Sequence, residues 1–101
     1  MKTILAISLA ILASTPALAQ DAAAGKGKAA ACAACHGTDG IATSPTFPNL
    51  AGQNAPYIVA QLKAFKSGER KGGQSAIMAP MAATLSEKDM EDVAAYFSSL
   101  K

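Results

Sequence analysis

The sequence predicts an all-α fold, three main helices joined by long loops, on three observations. Apolar side chains recur at helical spacing in two stretches: Ile58, Leu62 and Phe65 in one, and Met90, Val93, Ala94, Phe97 and Leu100 in the other. No stretch shows the apolar–polar alternation of a half-buried strand. The connections are rich in Gly and Pro, and two of them are long for so small a domain. The chain has 101 residues, room for one folded unit. It is 50% apolar, but that share is largely Ala, with no Trp, 3 Phe and 2 Tyr. A domain of this size usually needs a staple, a metal or a cofactor to complete its core. Long loops in it need something to wrap around. The charged fraction of 16% argues against disorder. A net charge of +2, without a basic stripe interleaved with aromatics, excludes a nucleic-acid partner.

The N-terminal segment reads as an export signal. Lys2 supplies a positive start, Thr3 to Ala13 is an apolar run interrupted only by small hydroxyls, and Thr15 and Pro16 break it. Ala17-Leu18-Ala19 then places small residues at the two positions a signal peptidase reads, which predicts cleavage after Ala19. A membrane anchor is the competing reading, but the run falls well short of the roughly 20 apolar residues that span a bilayer. Residues 1–19 are therefore assigned to a signal peptide and 20–101 to the domain, with no stable membrane insertion after cleavage.

The first helix is predicted from about Ala22 to Ala34, with Asp21 as its N-cap. Gly25 and Gly27 cost it about 1 kcal/mol each relative to Ala, a sign that another element comes close. A loop follows from His36 to about Asn54. Pro56 then opens a helix that Gly68 ends. A second loop, Glu69 to Leu85, leads to Ser86-Glu87-Lys88-Asp89, a capping-box-like start for the final helix.

Cys32-Ala33-Ala34-Cys35-His36 carries the chemistry. Two thiols three residues apart on a helix end project on neighbouring faces and can add across the two vinyl groups of a haem. The adjoining His36 then offers an imidazole nitrogen to the iron, the arrangement of covalent c-type haem attachment. A disulfide between these cysteines would close a tiny loop and constrain almost nothing. A thioredoxin-like pair would need a βαβ setting, and a structural zinc site needs four ligands where this chain offers three. For a sixth iron ligand the candidates are methionines. Met1 is lost with the signal, and Met90 lies on the apolar stripe of the last helix as a packing residue. Met78 and Met81 fall in the loop Ile77-Met78-Ala79-Pro80-Met81, one as ligand and the other as packer over the ring.

The chain resembles the small monohaem class I cytochromes c of bacteria, and is similar to one half of the dihaem cytochromes of that class. The resemblance rests on Gly25, on CAACHG at Cys32 to Gly37 and on FPNLAGQ at Phe47 to Gln53. Tyr57, Gln61, Leu62, the MAPM segment and LSEKDMEDVAAYF complete it. It implies that Met78, seven residues before Leu85, is the distal axial ligand, with Met81 as the alternative. It also implies that the Pro48 carbonyl accepts the free ring N–H of His36, the proximal ligand, and that Gly25 sits where the first and last helices cross, against Tyr96 and Phe97. Arg70, Gln74 and Tyr57 are candidates for propionate partners.

The resemblance implies a periplasmic carrier of single electrons using one covalent haem c. A haem with His and Met both bound has no vacant position, and Met raises the potential relative to bis-His ligation. Two alternatives use the same site: a haem subunit of a periplasmic dehydrogenase, or a haem enzyme or gas sensor whose Met dissociates. The second lacks a His or Arg beside Met78 in sequence. Partners are expected to be periplasmic redox proteins in transient contact with an apolar rim of Ile41, Ala42, Ala79, Pro80, Ala82 and Ala83. The acids Glu87, Asp89, Glu91 and Asp92 at the start of the last helix read as macrodipole compensation.

Overall fold

A computed structural model describes residues 21–100. The signal-peptide assignment to residues 1–19 lies outside the described residues. Five helices and no strand occur among them, in the order α1 (Ala22–Lys28), α2 (Ala30–His36), α3 (Ala55–Ser67), α4 (Ser75–Ala83) and α5 (Glu87–Ser99). The all-α expectation holds, but the count of three main helices does not.

Two differences account for the extra helices. The first predicted helix is divided at Ala29, whose N–H turns back to the carbonyls of Gly25 and Gly27, and α2 restarts from its carbonyl. Two glycines in one turn weaken the helix there, while the buried Ala29 holds the bend against the core. The second difference is α4, which occupies the segment expected to be a loop. Pro80 lies inside it and forfeits one helical bond. The Ala-rich sequence keeps helix propensity high, and Ala82 is fully buried. Met78 and Met81 therefore sit on a helix.

The other element boundaries follow local chemistry. The Asp21 side chain accepts the Ala24 N–H at 3.0 Å. Asn54 caps α3 through Tyr57 N–H, Pro56 stands in its first turn, and Gly68 closes it. Ser86 and Asp89 form a reciprocal capping box at the start of α5.

The core is a single cluster in which α5 meets α1 on one side and α3 on the other, with α4 leaning on α3. Ile58, Leu62, Phe65, Met90, Val93, Ala94 and Phe97 fill it, the two stripes read from the sequence. Met90 is a packing residue, as expected. The α1–α5 crossing depends on Gly25: a Cβ there would overlap the Asp92 backbone carbonyl and stand 3.0 Å from Tyr96 Cβ. Phe97 is not among the nearest atoms, so the contact is with the backbone of α5 and Tyr96. Gly27, by contrast, faces open space, and no close approach explains it.

The acids at the start of α5 do more than offset a dipole. Asp92 is 1% exposed and takes three donors: Lys28 Nζ at 2.7 Å, Lys88 Nζ at 2.5 Å and the Asp21 N–H at 3.0 Å. Lys28, then Lys88 and the Asp21 amide, hold its carboxyl far below the usual carboxylate range. Asp89 is lowered to about 2 by the Ser86 backbone N–H and by Lys28. Glu87 pairs with Lys63 of α3 at 2.8 Å. The cluster ties both ends of α1, at Asp21 and Lys28, to α5, a role added to the macrodipole compensation that Glu87 and Asp89 can supply in the first turn.

Candidate functional site

The α2 helix ends on the motif. Gly37 follows His36 with φ of 83° and ψ of 149°, a positive-φ conformation that glycine adopts without strain. The chain then folds back on itself: the Gly40 carbonyl accepts the N–H groups of Leu50 and Ala51, and Asn49 Oδ1 accepts the Ala42 N–H at 2.8 Å. Tyr96 donates to the Thr38 carbonyl, and the Gly52 N–H reaches the Phe97 carbonyl on α5. These bonds pin the loop of residues 37–54 against α5.

That folding delivers the Pro48 carbonyl to His36, with Nδ1 and oxygen 2.8 Å apart. A carbonyl can only accept, so Nδ1 carries a proton, and in the neutral imidazole the lone pair is then on Nε2. The ring is 5% exposed and meets Phe47 edge-on at 6.2 Å. An imidazole so fixed in tautomer and orientation is suited to donate through Nε2 to a metal.

His36 stands on the wall of a cavity of about 480 Å³. Cys32, Cys35, Met78 and Met81 line the same cavity, as do Pro48 and the three residues expected near propionates, Tyr57, Arg70 and Gln74. Both cysteines are free thiols. Burial, with a smaller contribution from Cys35, pushes the Cys32 thiol up. Ile58, Leu62 and Phe65 of α3 and Leu50 give the cavity an apolar floor. The residues present fit a covalently attached haem: two neighbouring thiols, an imidazole with its outer nitrogen committed elsewhere, and thioethers on α4. Both Met78 and Met81 are half-buried, so the cavity brings the two together without choosing between them.

Sequence reasoning missed the roles of Phe47, Asn49 and Gln61. Arg70 lines the cavity although no Arg stands beside Met78 in sequence; its guanidinium is tied to Gln61 and stacked on Phe65. Of the expected rim, none of the six residues is among those that line the cavity. Ile41 is exposed, and Pro80 and Ala83 are too. Ala82 is fully buried and belongs to the core, because α4 turns that side inward. Ile77, 46% exposed, lines the cavity and takes its place.

The comparisons with known proteins agree with this geometry. The chain is 54% identical over 81 residues to "Cytochrome c-554(548)" of Halomonas halodenitrificans, an alignment that covers 80% of this chain and 98% of that protein. Crystalline reduced cytochrome c4 from Pseudomonas stutzeri superposes with a TM-score of 0.70 at 47% identity, over 80% of this chain and 46% of the other. A thiosulfate dehydrogenase from Marichromatium purpuratum gives a TM-score of 0.72 at 38% identity, over 77% of this chain and 19% of that one. The chain thus spans less than half of either of these two larger proteins. The Cytochrome c family profile matches residues 22–101, and with a fold, a motif and a cavity that agree, the chain belongs to the cytochrome c family.

Proposed function

We propose that this chain is a periplasmic carrier of single electrons. Its one haem c is bound through thioethers by Cys32 and Cys35 and ligated by His36 and Met78. The observation that carries the reading is the buried His36, its Nδ1 proton committed to the Pro48 carbonyl, on a cavity wall shared with both cysteines and the α4 methionines. When bound, haem c supplies a reversible one-electron couple, as in the electron-transfer proteins of the family. The chain's own residues set the conditions for it. His36 keeps one tautomer, the thiols retain the group in the periplasm, and a soft Met donor favours the reduced state. The apolar floor from α3 excludes water, which limits rearrangement as charge changes. Met78 is preferred to Met81 for its place seven residues before Leu85, where the family resemblance puts the ligand.

The partner reading is a transient contact at the exposed apolar residues beside the cavity, of the small kind typical of redox encounters. A dehydrogenase subunit is the second reading, supported by the thiosulfate dehydrogenase likeness. Gel filtration of a native periplasmic extract separates the two: a carrier elutes near its own mass and a subunit with its enzyme. A redox titration of the purified protein tests the main reading. One reversible one-electron transition per chain is expected, and a potential that shifts on adding peroxide or nitric oxide would contradict it.

A further inference from the structure

One short stretch of the loop grips His36 twice. The Pro48 carbonyl stands 2.8 Å from Nδ1, and the Phe47 ring meets the imidazole edge-on, with centroids 6.2 Å apart and planes at 63°. Proline locks its own φ and confines the residue before it to extended backbone, so the dipeptide that carries both groups is stiff. Asn49, on the far side of Pro48, tethers the stretch by accepting the Ala42 N–H at 2.8 Å. The surroundings otherwise give little cover. Residues 41–46 are exposed or half-buried. Between Ile41 and Leu50 the chain reads Ala-Thr-Ser-Pro-Thr-Phe-Pro-Asn, with Phe47 as the one large apolar side chain. The imidazole is buried, yet its bond to Pro48 is only half-buried.

We propose that Phe47 is a positioning residue for the iron ligand: its ring covers the His36–Pro48 hydrogen bond and keeps water from replacing the carbonyl as acceptor. The inference rests on the haem reading above. Water competes well at a half-buried donor, because folding only exchanges one hydrogen bond for another and the net gain is small. With water in place of the carbonyl, the imidazole is free to turn about its bond to Cβ, and the fold no longer sets the direction of Nε2. An aromatic ring edge-on to the imidazole opposes this in two ways. It excludes the competing water, and the ring–ring contact itself favours one plane of the imidazole. Asn49 holds the same loop by a hydrogen bond and offers no aromatic face, so it separates tethering from shielding.

The test follows the His36 Nδ1 proton by NMR in the reduced, diamagnetic holoprotein. Its exchange with deuterated solvent is timed against the slowest backbone amides of α5. Phe47→Ala is expected to speed the Nδ1 exchange roughly two- to tenfold, the worth of one aromatic contact, with the α5 amides unchanged. Phe47→Tyr keeps the ring and should exchange at the parent rate. Phe47→Leu should fall between, and it carries the test alone if Phe47→Ala incorporates no haem. Asn49→Ala should speed the exchange less than Phe47→Ala does. Unchanged exchange in the Ala and Leu variants overturns the proposal. So does an equal acceleration of the α5 amides, which would mark a purely structural role, or an Asn49→Ala effect as large as that of Phe47→Ala, which would mean that tethering protects the bond. A parent protein without covalent haem would sink the proposed function itself before any variant is compared.

Discussion

Of the side chains around the cavity, those contiguous in sequence could be read in advance, and those brought together by folding could not. Cys32, Cys35 and His36 announce their chemistry because attachment demands them within five residues, and no tertiary contact is needed to see it. Pro48 was reachable only through the family resemblance, since it lies twelve positions beyond His36, across a loop. Phe47 against His36, and Gln61 beneath Arg70, carry no local signal: Gly68 breaks the helical register that would relate 61 to 70. Met78 and Met81 were visible as a pair but not ranked by the cavity, because both line it. The ranking has a spectroscopic consequence. Met78→Ala should abolish the far-red sulfur-to-iron band of the oxidised protein and lower its potential, whereas Met81→Ala should keep the band and move the potential only slightly. The reverse pattern would assign Met81.

At the level of elements, the caps and apolar stripes of α3 and α5 were legible because each rests on local chemistry: a Pro at the first turn, a Ser-x-x-Asp box, a period of 3.6. The segment that became α4 was misread because Pro80 signals a break, although its tertiary burial through Ala82 outweighs one lost bond. The α1–α5 crossing was signalled by a glycine but not located, and the two glycines of α1 now separate cleanly. Gly25→Ala must push Asp92 and Tyr96 away, at a cost of about 1–3 kcal/mol or more. Gly27→Ala meets open space and should gain up to about 1 kcal/mol from helix propensity. Chemical denaturation of the two variants checks both signs. The ion cluster at the same crossing has a pH signature. Asp92 and Asp89 have folded-state pKa values below their ordinary range, so their contribution is complete above about pH 4. It is lost as pH falls through the folded values, about 2 for Asp89 and lower for Asp92. Asp92→Asn should therefore be less stable than the parent at neutral pH, and the gap in melting temperature should narrow as pH falls below about 4. A gap that stays constant down to pH 2 would show that the carboxylate charge contributes nothing.

For the molecule as a whole, a core of one Met, two Phe and a few aliphatics stands beside a cavity with an apolar floor, and this implies that the cofactor completes the fold. The Cys32→Ala, Cys35→Ala double variant, unable to attach haem, is expected to be largely unfolded by far-UV circular dichroism, as small metal-dependent domains are without their metal. A cooperative, native-like melt without haem would refute that. The surface bears on partners in a similar way. Lys28, Lys63 and Lys88 are engaged with acids of α5, which leaves no dense lysine ring among the described residues to steer a partner. Electron-transfer rates with the native partner should then fall only weakly with added salt. A steep decline would place docking on the lysines between Lys63 and Lys71. Central to all of this is the proposal that a single covalent haem is held between His36 and a methionine. Its most direct test is the absorption spectrum of the purified protein, recorded as the pyridine haemochrome and again in the oxidised state. One covalent c-type haem per chain with a far-red methionine band is the predicted result; a chain without covalent haem, or one whose oxidised form lacks that band, would contradict the account.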